Sequence, residues 1–431
     1  MKNKKLYGIL FLFLFTGWYT RAEIALPKIP SKQFVITDFG ASTASADNTA
    51  CIQKAIDKCA AGGGGVVIVP KGVFLCGPLN LLDKTELHLA EGCVLKMLPY
   101  GHGDGTRPGT YPNAGKPGVY PSFISGKDVS NIRVSGRGTI DGQGADWWSA
   151  YRAIKGTAIV MKRGCLIAFN GCRYAEINGI KLINAPNVHI AIGKKSSDVT
   201  IDGITIDTPS DAPNSDGIDT WAPNIVIKNS SISCGDDNIA MDSETQHITI
   251  KKCTFGTGHG CSIGSFTHNV KHVLVDSCTF KGTTSAIRMK SNRNRGGGET
   301  DITYSNLTIS NVRWPISIES YYPKVPKSPE DDTAQAVSDK TPSWSNITFR
   351  NIRIVNCESA GVIWGLPELS VTNVLFDNVQ INAQKSMVLN NAKNVEFKNS
   401  TMNVSGGDAI VTYRCSPTGI DLSSGKPVLK K

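Results

Sequence analysis

The stretches QHITIKKCTF, residues 246–255, and KHVLVDSCTF, residues 271–280, are two copies of one phrase set 25 residues apart. In each copy, apolar residues alternate with polar ones, which is the pattern of a half-buried β-strand. The same phrase returns along most of the chain, as SNIRVSG at 130, SDVTIDGITI at 197, PNIVIKNSSI at 223, TDITYSNLTI at 300, SNITFRNIRI at 345, TNVLFDNVQI at 372 and KNVEFKNSTM at 393, with a weaker copy, YAEINGIKLI, at 174.

The spacing of these copies predicts a solenoid. The second apolar position of each copy serves as a marker, and the markers are Val134, Ile177, Ile201, Ile227, Ile250, Val275, Tyr304, Phe349, Phe376 and Phe397. Most steps between markers are 21 to 29 residues, and steps of 43 and 45 indicate a doubled turn or a loop insertion. Such a period favours repeats that stack like on like at about 4.8 Å per rung. A parallel β-helix fits best, because a β-sandwich shares no motif at constant period and the Leu/Asn consensus of leucine-rich repeats is absent.

The N-terminal part of the mature chain is expected to close the first rung. The run DNTACIQKAIDKCAAGGGG, from Asp47, predicts an amphipathic helix that begins near Asn48 or Thr49 and ends at Gly62. Such a helix would cover a sheet edge that otherwise invites aggregation. We therefore predict an all-β, single-domain parallel β-helix with an N-terminal capping helix over residues 23–431. Two loops, 99–122 and 321–344, are candidates to wall a groove.

Residues 1–22 have the pattern of a signal peptide, with a basic start, the apolar run LYGILFLFLFTGW and small residues near a cleavage site. The protein is therefore expected to be exported, to the periplasm or the extracellular space, with no membrane span in the mature chain. Without the leader, 42 basic and 36 acidic residues remain, a charge of about +6 that suits a polyanionic partner. No dense basic run supports nucleic-acid binding. The 12 cysteines show no metal-binding CxxC pattern, and Cys234, Cys253 and Cys278 could stack as free thiols or pair.

A set of polar residues follows the phrase on four successive repeats. Counted from the preceding marker, they lie at offsets of 15 (Asp216), 10 (Asp237), 9 (His259), 13 (Arg288) and 15 (Lys290). In a coiled stack they should line one side of the solenoid over roughly 15 Å. Gly235 predicts a bend before the Asp236–Asp237 pair, so that both aspartates can face outward into a groove. His102, in a Gly/Pro-rich loop, is interpreted as a loop residue only.

These clusters resemble the four motifs of the polygalacturonase family of glycoside hydrolases. NSDGID (214–219), GDD (235–237), GHG (258–260) and RMK (288–290) correspond in order and spacing to the family's NTD, DD, GHG and RIK. The likeness extends to ITDFGAS, DNTACIQKAID and GTIDGQGADWW, and departs at Ser215 for Thr and Met289 for Ile. The resemblance implies a right-handed parallel β-helix and hydrolysis of α-1,4 galacturonosidic bonds in pectin with inversion.

By the same resemblance, the candidate catalytic residues have distinct roles. Asp236 would be the general acid, Asp216 and Asp237 would hold and deprotonate the water, and His259 would orient Asp236. Arg288 and Lys290 would bind the uronate next to the cut, with Tyr322 as a sugar contact and Tyr321 as the alternative. Crowding of the carboxylates should raise the pKa of at least one of them, which would keep a proton available for the acid.

Several alternatives remain open at this stage. The substrate could be another pectic backbone, rhamnogalacturonan or xylogalacturonan, although the Asp-Asp pair with two basic residues favours galacturonate on both sides of the cut. We favour endo action because no extra domain is expected to close the groove, and exo action is the alternative. A non-catalytic carbohydrate-binding β-helix would not need the aspartate cluster. We expect no metal, no cofactor, a galacturonan partner and a monomer.

Overall fold

The computed structural model of the 431-residue chain describes residues 24–101, 107 and 109–419. The predicted signal peptide, His102 and the last twelve residues lie outside the described residues. The N-terminal elements are, in chain order, β1 (Gln33–Val35), a 3-10 helix (Ile36–Phe39), α1 (Thr49–Ala61), β2 (Gly65–Val69), β3 (Gly72–Cys76), β4 (Leu79–Leu81), β5 (Thr85–Leu89), β6 (Cys93–Met97), β7 (Ile124–Lys127), β8 (Ser130–Gly136), β9 (Thr139–Asp141) and α2 (Gly144–Ile154).

Short strands continue through the middle of the chain. They are β10 (Ile167–Asn170), β11 (Arg173–Asn178), β12 (Lys181–Ile183), β13 (Ile190–Ile192), β14 (Ser197–Asp202), β15 (Thr205–Asp207), β16 (Ile218–Thr220), β17 (Ile225–Lys228), β18 (Ser231–Ser233), β19 (Ile239–Met241), β20 (Gln246–Lys251), β21 (Thr254–Phe255), β22 (Cys261–Ile263), β23 (Lys271–Asp276), β24 (Thr279–Lys281) and β25 (Ser285–Lys290).

Longer strands dominate the C-terminal part. They are β26 (Thr300–Ser310), β27 (Trp314–Glu319), a 3-10 helix (Pro329–Asp331), β28 (Ser345–Trp364), β29 (Val371–Asn390), β30 (Ala392–Lys398), β31 (Thr401–Val404) and β32 (Ile410–Tyr413). In the pairings among the described strands, each strand lies parallel to the equivalent strand of the next coil. The predicted parallel β-helix is therefore confirmed, and a right-handed coil is the hand that such parallel crossovers take in about 98% of cases.

Each coil contributes to three parallel sheets. The first sheet contains the recurring phrase, for example β14, β17, β20 and β23. The second contains the strand that follows it, for example β15, β18, β21 and β24. The third contains β10, β13, β16, β19, β22, β25 and β27. The long strands β26, β28 and β29 bend from one sheet into the next, since they pair in more than one of them.

The marker residues stack as the sequence predicts. Each is the direct neighbour of the next, from Val134 beside Ile177 to Phe376 beside Phe397. At the C-terminal end they form an aromatic column in which the rings of Phe376 and Phe397 lie 4.4 Å apart and are nearly parallel. Because the two long steps join adjacent rungs, both are loop insertions and not doubled turns.

Asparagine at the turns completes the repeat. Asn224, Asn346, Asn373 and Asn394 have φ between 53° and 60°, a left-handed conformation that asparagine tolerates better than most residues. Their side chains form a ladder, in which Asn394 donates to Asn373 at 2.9 Å and Asn373 donates to Asn346 at 3.0 Å. The Asn or Asp that precedes the first apolar residue of many copies is therefore part of the fold signal.

The cap forms as expected, with Asn48 and Gly62 flanking α1. Helix α2 was not predicted: its Trp147 is fully buried against tyrosines of the 99–122 loop, with the Tyr100 and Tyr120 rings at 4.5 and 4.6 Å.

All twelve cysteines are free thiols, so Cys234, Cys253 and Cys278 stack as free thiols and do not pair. Among the described residues, no helix is long and apolar enough to cross a membrane.

Candidate active site

The candidate residues lie along the outer face of the third sheet. Asp216 precedes β16, the Asp236–Asp237 pair precedes β19, His259 precedes β22, and Arg288 and Lys290 lie within β25. These four strands are direct neighbours in register, because Asp219 pairs with Ala240, Ala240 with Ser262 and Ser262 with Arg288. The structure therefore brings the four sequence clusters onto four consecutive rungs.

The bend between β18 and β19 accommodates the adjacent Asp236 and Asp237. A Cβ at Gly235 would lie 2.1 Å from the carbonyl oxygen of Ala212, so only glycine fits this approach. The buried Asn238 fixes the rest of the bend, since Nδ2 donates to the carbonyls of Ile232 and Thr257 and Oδ1 accepts from the amide of Gly260. A single side chain thus joins the GDD and GHG segments.

Ser215, one of the two departures from the family motif, has a local structural role. Its hydroxyl donates to the carbonyl of Ala212 at 2.9 Å and accepts from the amide of Gly235 at 2.9 Å. A threonine hydroxyl could make the same two bonds. The substitution therefore leaves the backbone of the bend intact.

The expectation that both aspartates face outward is wrong for Asp237. Its side chain is 4% exposed, against 26% for Asp236. Lys290 Nζ lies 2.7 Å from Asp237 Oδ2, and Arg288 Nη1 lies 3.1 Å from Oδ1. A buried carboxylate is tolerated when it is paired and hydrogen-bonded. The two basic residues expected to bind substrate therefore also neutralise Asp237.

Ser262 is a third partner of Asp237 that sequence reasoning missed. Its fully buried hydroxyl donates to Asp237 Oδ1 at 2.6 Å. It lies in β22, one rung beyond Asp237, in the SIG that follows the GHG motif. The signal available in the sequence was its register with Asp219 and Arg288, the outward positions of neighbouring strands.

Asp236 pairs with His259. The Nδ1–H of His259 donates to Asp236 Oδ1 at 2.9 Å, and the amide of Asp237 donates to the same oxygen at 3.0 Å. Burial raises the pKa of Asp236, but the hydrogen bond and charge of His259, with Lys290, outweigh it and hold that pKa below its usual value. Oδ2 contacts only the Asn214 amide, at 3.5 Å, among the described residues.

The raised carboxylate pKa values occur elsewhere in the cluster. Burial raises the pKa of Asp216 well above its usual range, and the negative charges of Asp236 and Asp237 raise it further. Burial has the same effect on the pKa of Asp219, helped by the charges of Asp216 and Asp242. Crowding therefore does raise carboxyl pKa values, but not at Asp236, the residue expected to carry the acid proton.

His189 supports the backbone of Asp216. His189 is fully buried, and burial lowers its pKa to about 4, so it is neutral. Its Nδ1 lies 2.8 Å from the carbonyl oxygen of Asp216 and its Nε2 lies 2.8 Å from the hydroxyl of Thr208. A neutral imidazole that donates through Nδ1 and accepts through Nε2 satisfies both contacts.

Arg163 supports Asn214 from the long segment that follows α2. It is 8% exposed, and it donates to the carbonyls of Pro186 and Pro213 and to Asn214 Oδ1 at 2.7, 2.9 and 2.9 Å. Asn214 in turn reaches Asp236. Sequence reasoning missed Arg163 because it lies 51 residues from Asn214, outside any copy of the repeat.

Of the two tyrosines considered, the structure places Tyr322 at the site. Its ring centroid lies 5.3 Å from Lys290 Nζ and 5.8 Å from Arg288 Cζ. Tyr321 is buried, and its hydroxyl donates to Asp332 Oδ2 at 2.8 Å within the 321–344 loop. Tyr321 therefore anchors that loop, while Tyr322 faces the basic pair.

The cluster also has the composition of a cation site. One ligand-type atom from each of Asp236, Asp237 and His259 lies within 4.8 Å of the others. However, Asp237 already contacts the ammonium of Lys290 and the guanidinium of Arg288, and a bound metal ion would be repelled by both. The arrangement fits a charge-balanced acid–base cluster better than a metal site.

Comparisons with known proteins agree on one family. The profile of the glycosyl hydrolases family 28 matches residues 67–402. The chain is 34% identical over 366 residues to an endo-polygalacturonase of Pectobacterium carotovorum subsp. carotovorum, covering 80% of this chain and 86% of the relative. The solved polygalacturonase of Erwinia carotovora ssp. carotovora superposes with a TM-score of 0.68 at 30% identity, covering 91% of this chain and 99% of the other. The family 28 exopolygalacturonase of Yersinia enterocolitica gives a TM-score of 0.73 at 21% identity, covering 93% and 79%, and supports the fold.

Proposed function

The chain belongs to the glycosyl hydrolases of family 28, and on this basis we propose that it hydrolyses the α-1,4 bonds of polygalacturonate within the polymer, with inversion of the anomeric carbon. The observation that carries the proposal is the position of Arg288, Lys290 and Tyr322 beside the Asp236–Asp237 pair. A galacturonan presents a carboxylate on every sugar, which two adjacent cations and an aromatic ring can bind. The endo-polygalacturonase named above supports the same substrate.

Asp236 would act as the general acid through one particular oxygen. Oδ1 already accepts from His259 and from the amide of Asp237, whereas within the described part of the chain Oδ2 has only the long contact with Asn214. The proton would therefore be carried on Oδ2, the oxygen left free to meet the glycosidic oxygen of the substrate. His259 holds the carboxyl group in this orientation.

Asp237 would act as the base that takes a proton from the attacking water. A carboxylate has about four lone-pair sites, and Asp237 uses two on Oδ1 and one on Oδ2. One acceptor site on Oδ2 remains for the water. Asp216 keeps its proton to higher pH than an ordinary aspartate, so it can donate to the same water and hold it in line. The acid and base of inverting enzymes are typically about 6.5–9.5 Å apart. Asp236 and Asp237 share one rung and present oxygens within 4.8 Å of each other, so the wider separation would have to come from Asp216, which lies on the preceding rung.

The substrate carboxylate can bind without displacing Asp237. Arg288 has five N–H donors and Lys290 has three, and in each case one is used for Asp237. The remaining donors can reach a uronate that lies under the ring of Tyr322. Substrate carboxylate and catalytic base would thus share the same two cations, which places the bond to be cleaved next to the base.

The decisive experiment is hydrolysis of polygalacturonate, followed by the release of reducing ends, with Asp236→Asn as the matched variant. A general acid contributes about 10²–10⁴-fold to rate, so Asp236→Asn should lose activity by that factor while it still binds the polymer. If the wild-type protein binds polygalacturonate but releases no reducing ends, the alternative of a non-catalytic binding module is favoured.

Two further measurements address the finer parts of the proposal. Endo action predicts that viscosity falls early relative to the release of reducing ends, whereas an exo enzyme would release short products from one end. Inversion predicts β-configured reducing ends as the first product, visible by proton NMR before mutarotation. Export through the 1–22 leader and a monomeric state stay predictions, to be tested by N-terminal sequencing of the secreted protein and by light scattering.

A further inference from the structure

A separate cavity lies beyond the C-terminal ends of the strands that form the groove floor. It has a volume of about 210 Å³, and its lining includes Phe266, the basic side chains of Arg295 and Lys340, His268, and one carboxylate, Asp339. Phe266 is 54% exposed, which is unusual for so large an apolar side chain in this protein. The volume lies below the about 300–1,000 Å³ of drug-sized ligand sites, so the cavity suits one small charged unit.

The central pair of this cavity is Phe266 with Arg295. The guanidinium carbon of Arg295 lies 4.5 Å from the centre of the Phe266 ring, and Nη1 donates to the hydroxyl of Ser265 at 2.8 Å. Stacking on the ring and one hydrogen bond fix the plane of the guanidinium, so that less side-chain freedom is lost when it binds an anion. An exposed aromatic face is held beside a preorganised cation.

Among the described residues, Arg295 differs from three other arginines that stack on aromatic rings, and it resembles Arg163 and Arg414, which stack on Tyr151 and Tyr413 without an ion pair. Arg173, Arg293 and Arg313 each also form an ion pair, with Asp198, Asp332 and Glu358 respectively. For Arg295, no carboxylate oxygen lies within 4.0 Å anywhere in the described part of the chain. Its unused donors are therefore available to an anion from outside.

Asp242 links the cavity's Phe266 to the third sheet, on which the candidate catalytic residues lie. The amide of Phe266 donates to Asp242 Oδ1 at 3.1 Å. Asp242 directly follows β19, and Lys290 occupies the equivalent position two rungs away, at about 10 Å. The positive charges of Lys290 and Arg295 both lower the pKa of Asp242, which burial raises to about 6. Phe266 thus contacts a residue that lies two rungs from Lys290 on the same sheet.

We propose that Phe266 and Arg295 form an accessory uronate-binding position for a galacturonate residue that is not at the bond being cleaved. This inference rests on the proposed function. The aromatic ring would pack against the C–H face of the sugar, and Arg295 would bind the sugar's free carboxylate through two N–H groups. A methyl ester at that sugar removes the charge and one acceptor oxygen, so this position would favour unesterified galacturonan.

The test compares Phe266→Ala and Arg295→Gln with Tyr174→Ala. Tyr174 also lies under an arginine, Arg173, with its ring centre 5.4 Å away, but on the first sheet and away from the groove. On polygalacturonate, each of the two groove variants should raise KM about tenfold with kcat reduced at most about twofold, and Tyr174→Ala should change neither. Phe266→Tyr, which keeps the ring, should restore a KM within about twofold of wild type.

A substrate series gives the specificity readout. Arg295→Gln should reduce the ratio of kcat/KM for unesterified over partly methyl-esterified polymer by several-fold. An unchanged KM and an unchanged ratio in both groove variants would overturn the inference while the hydrolase assignment stood. If the wild type is inactive, the proposed function fails. Calorimetric binding of oligogalacturonates then decides the inference alone: about tenfold weaker binding by Arg295→Gln supports it, and equal binding refutes it.

Discussion

Replacing Asp219 with asparagine should stabilise the protein, and the gain should depend on pH. Asp219 lies in the middle of β16 on the groove floor and is 8% exposed. Its Oδ1 has no hydrogen-bond partner in the described part of the chain. Burial raises its pKa well above 3.8, and the charges of Asp216 and Asp242 raise it further. The folded protein therefore keeps a proton at Asp219 over a pH range in which the unfolded chain has lost it.

The sign and size of the effect follow from proton linkage. Below about pH 4 both states are protonated, and Asp219 adds no pH dependence to stability. Between that pH and the raised folded pKa, ionisation favours the unfolded chain, and stability falls by about 1.4 kcal/mol for each pH unit. Asparagine is neutral in both states. The variant therefore gains about 1.4 kcal/mol relative to wild type for each pH unit within that range.

Urea unfolding at pH 4, 5, 6 and 7 measures this gain directly. The difference in free energy of unfolding, Asp219→Asn minus wild type, should be smallest at pH 4 and should rise with pH. Asp408→Asn, at an exposed aspartate, is the control and should change stability little at any of these values. A difference that is flat across pH, or an Asp219→Asn protein that loses stability relative to wild type as pH rises, would refute the assignment of a retained proton.

Three other substitutions test the support of the site and the fold. Asn238→Ala removes three hydrogen bonds from a buried amide. It should lower the free energy of unfolding, measured with urea, by about 3 kcal/mol. A loss below about 1 kcal/mol would contradict the role of Asn238 in the bend. Ser262→Ala removes the 2.6 Å donor to Asp237 and should lower kcat about tenfold, the equivalent of about 1.4 kcal/mol, with KM unchanged because Ser262 is buried beneath the substrate. Asn373→Ala should lower the free energy of unfolding by about 1–2 kcal/mol, because alanine disfavours a φ of 57° and the ladder hydrogen bonds are lost. Asn373→Gly should lower it less, because glycine adopts that φ freely. Equal losses in the two variants would mean that the hydrogen bonds of the asparagine side chain account for the whole effect.

The fold could be predicted from the sequence because a solenoid repeats its register. Once the marker residues were aligned, each rung predicted the next, and the observed pairings agree from Val134 to Phe397. Helix α2 escaped prediction for the opposite reason. Its run, GADWWSAYRAI, is short, and it is stabilised by burial of Trp147 among tyrosines that precede Trp147 by 27 residues or more. Contacts between insertions carry no periodic signal.

The sequence predicts which candidate residues lie on the same side of the coil, but not the contacts between side chains of different rungs. The sequence placed Asp216, Asp236 and Arg288 on one side of the coil because each follows the phrase at a similar offset. It could not show that Asp237 is buried, since this depends on Lys290, 53 residues away, reaching its carboxylate. The roles of Ser262 and Arg163 were missed for the same reason: a side chain on one rung acts on a carboxylate presented by another.

The distribution of protons suggests how an acid with a low pKa could still serve as the acid. In the free groove, His259 and Lys290 hold the pKa of Asp236 below its usual value. A bound uronate brings negative charge to Lys290 and Arg288 and displaces water, and both effects favour the protonated form of a nearby carboxyl group. A bound uronate would therefore raise the pKa of Asp236. On this account His259 and Lys290 keep Asp236 ionised until the polymer arrives, and a uronate bound at Lys290 would couple substrate binding to protonation of the acid.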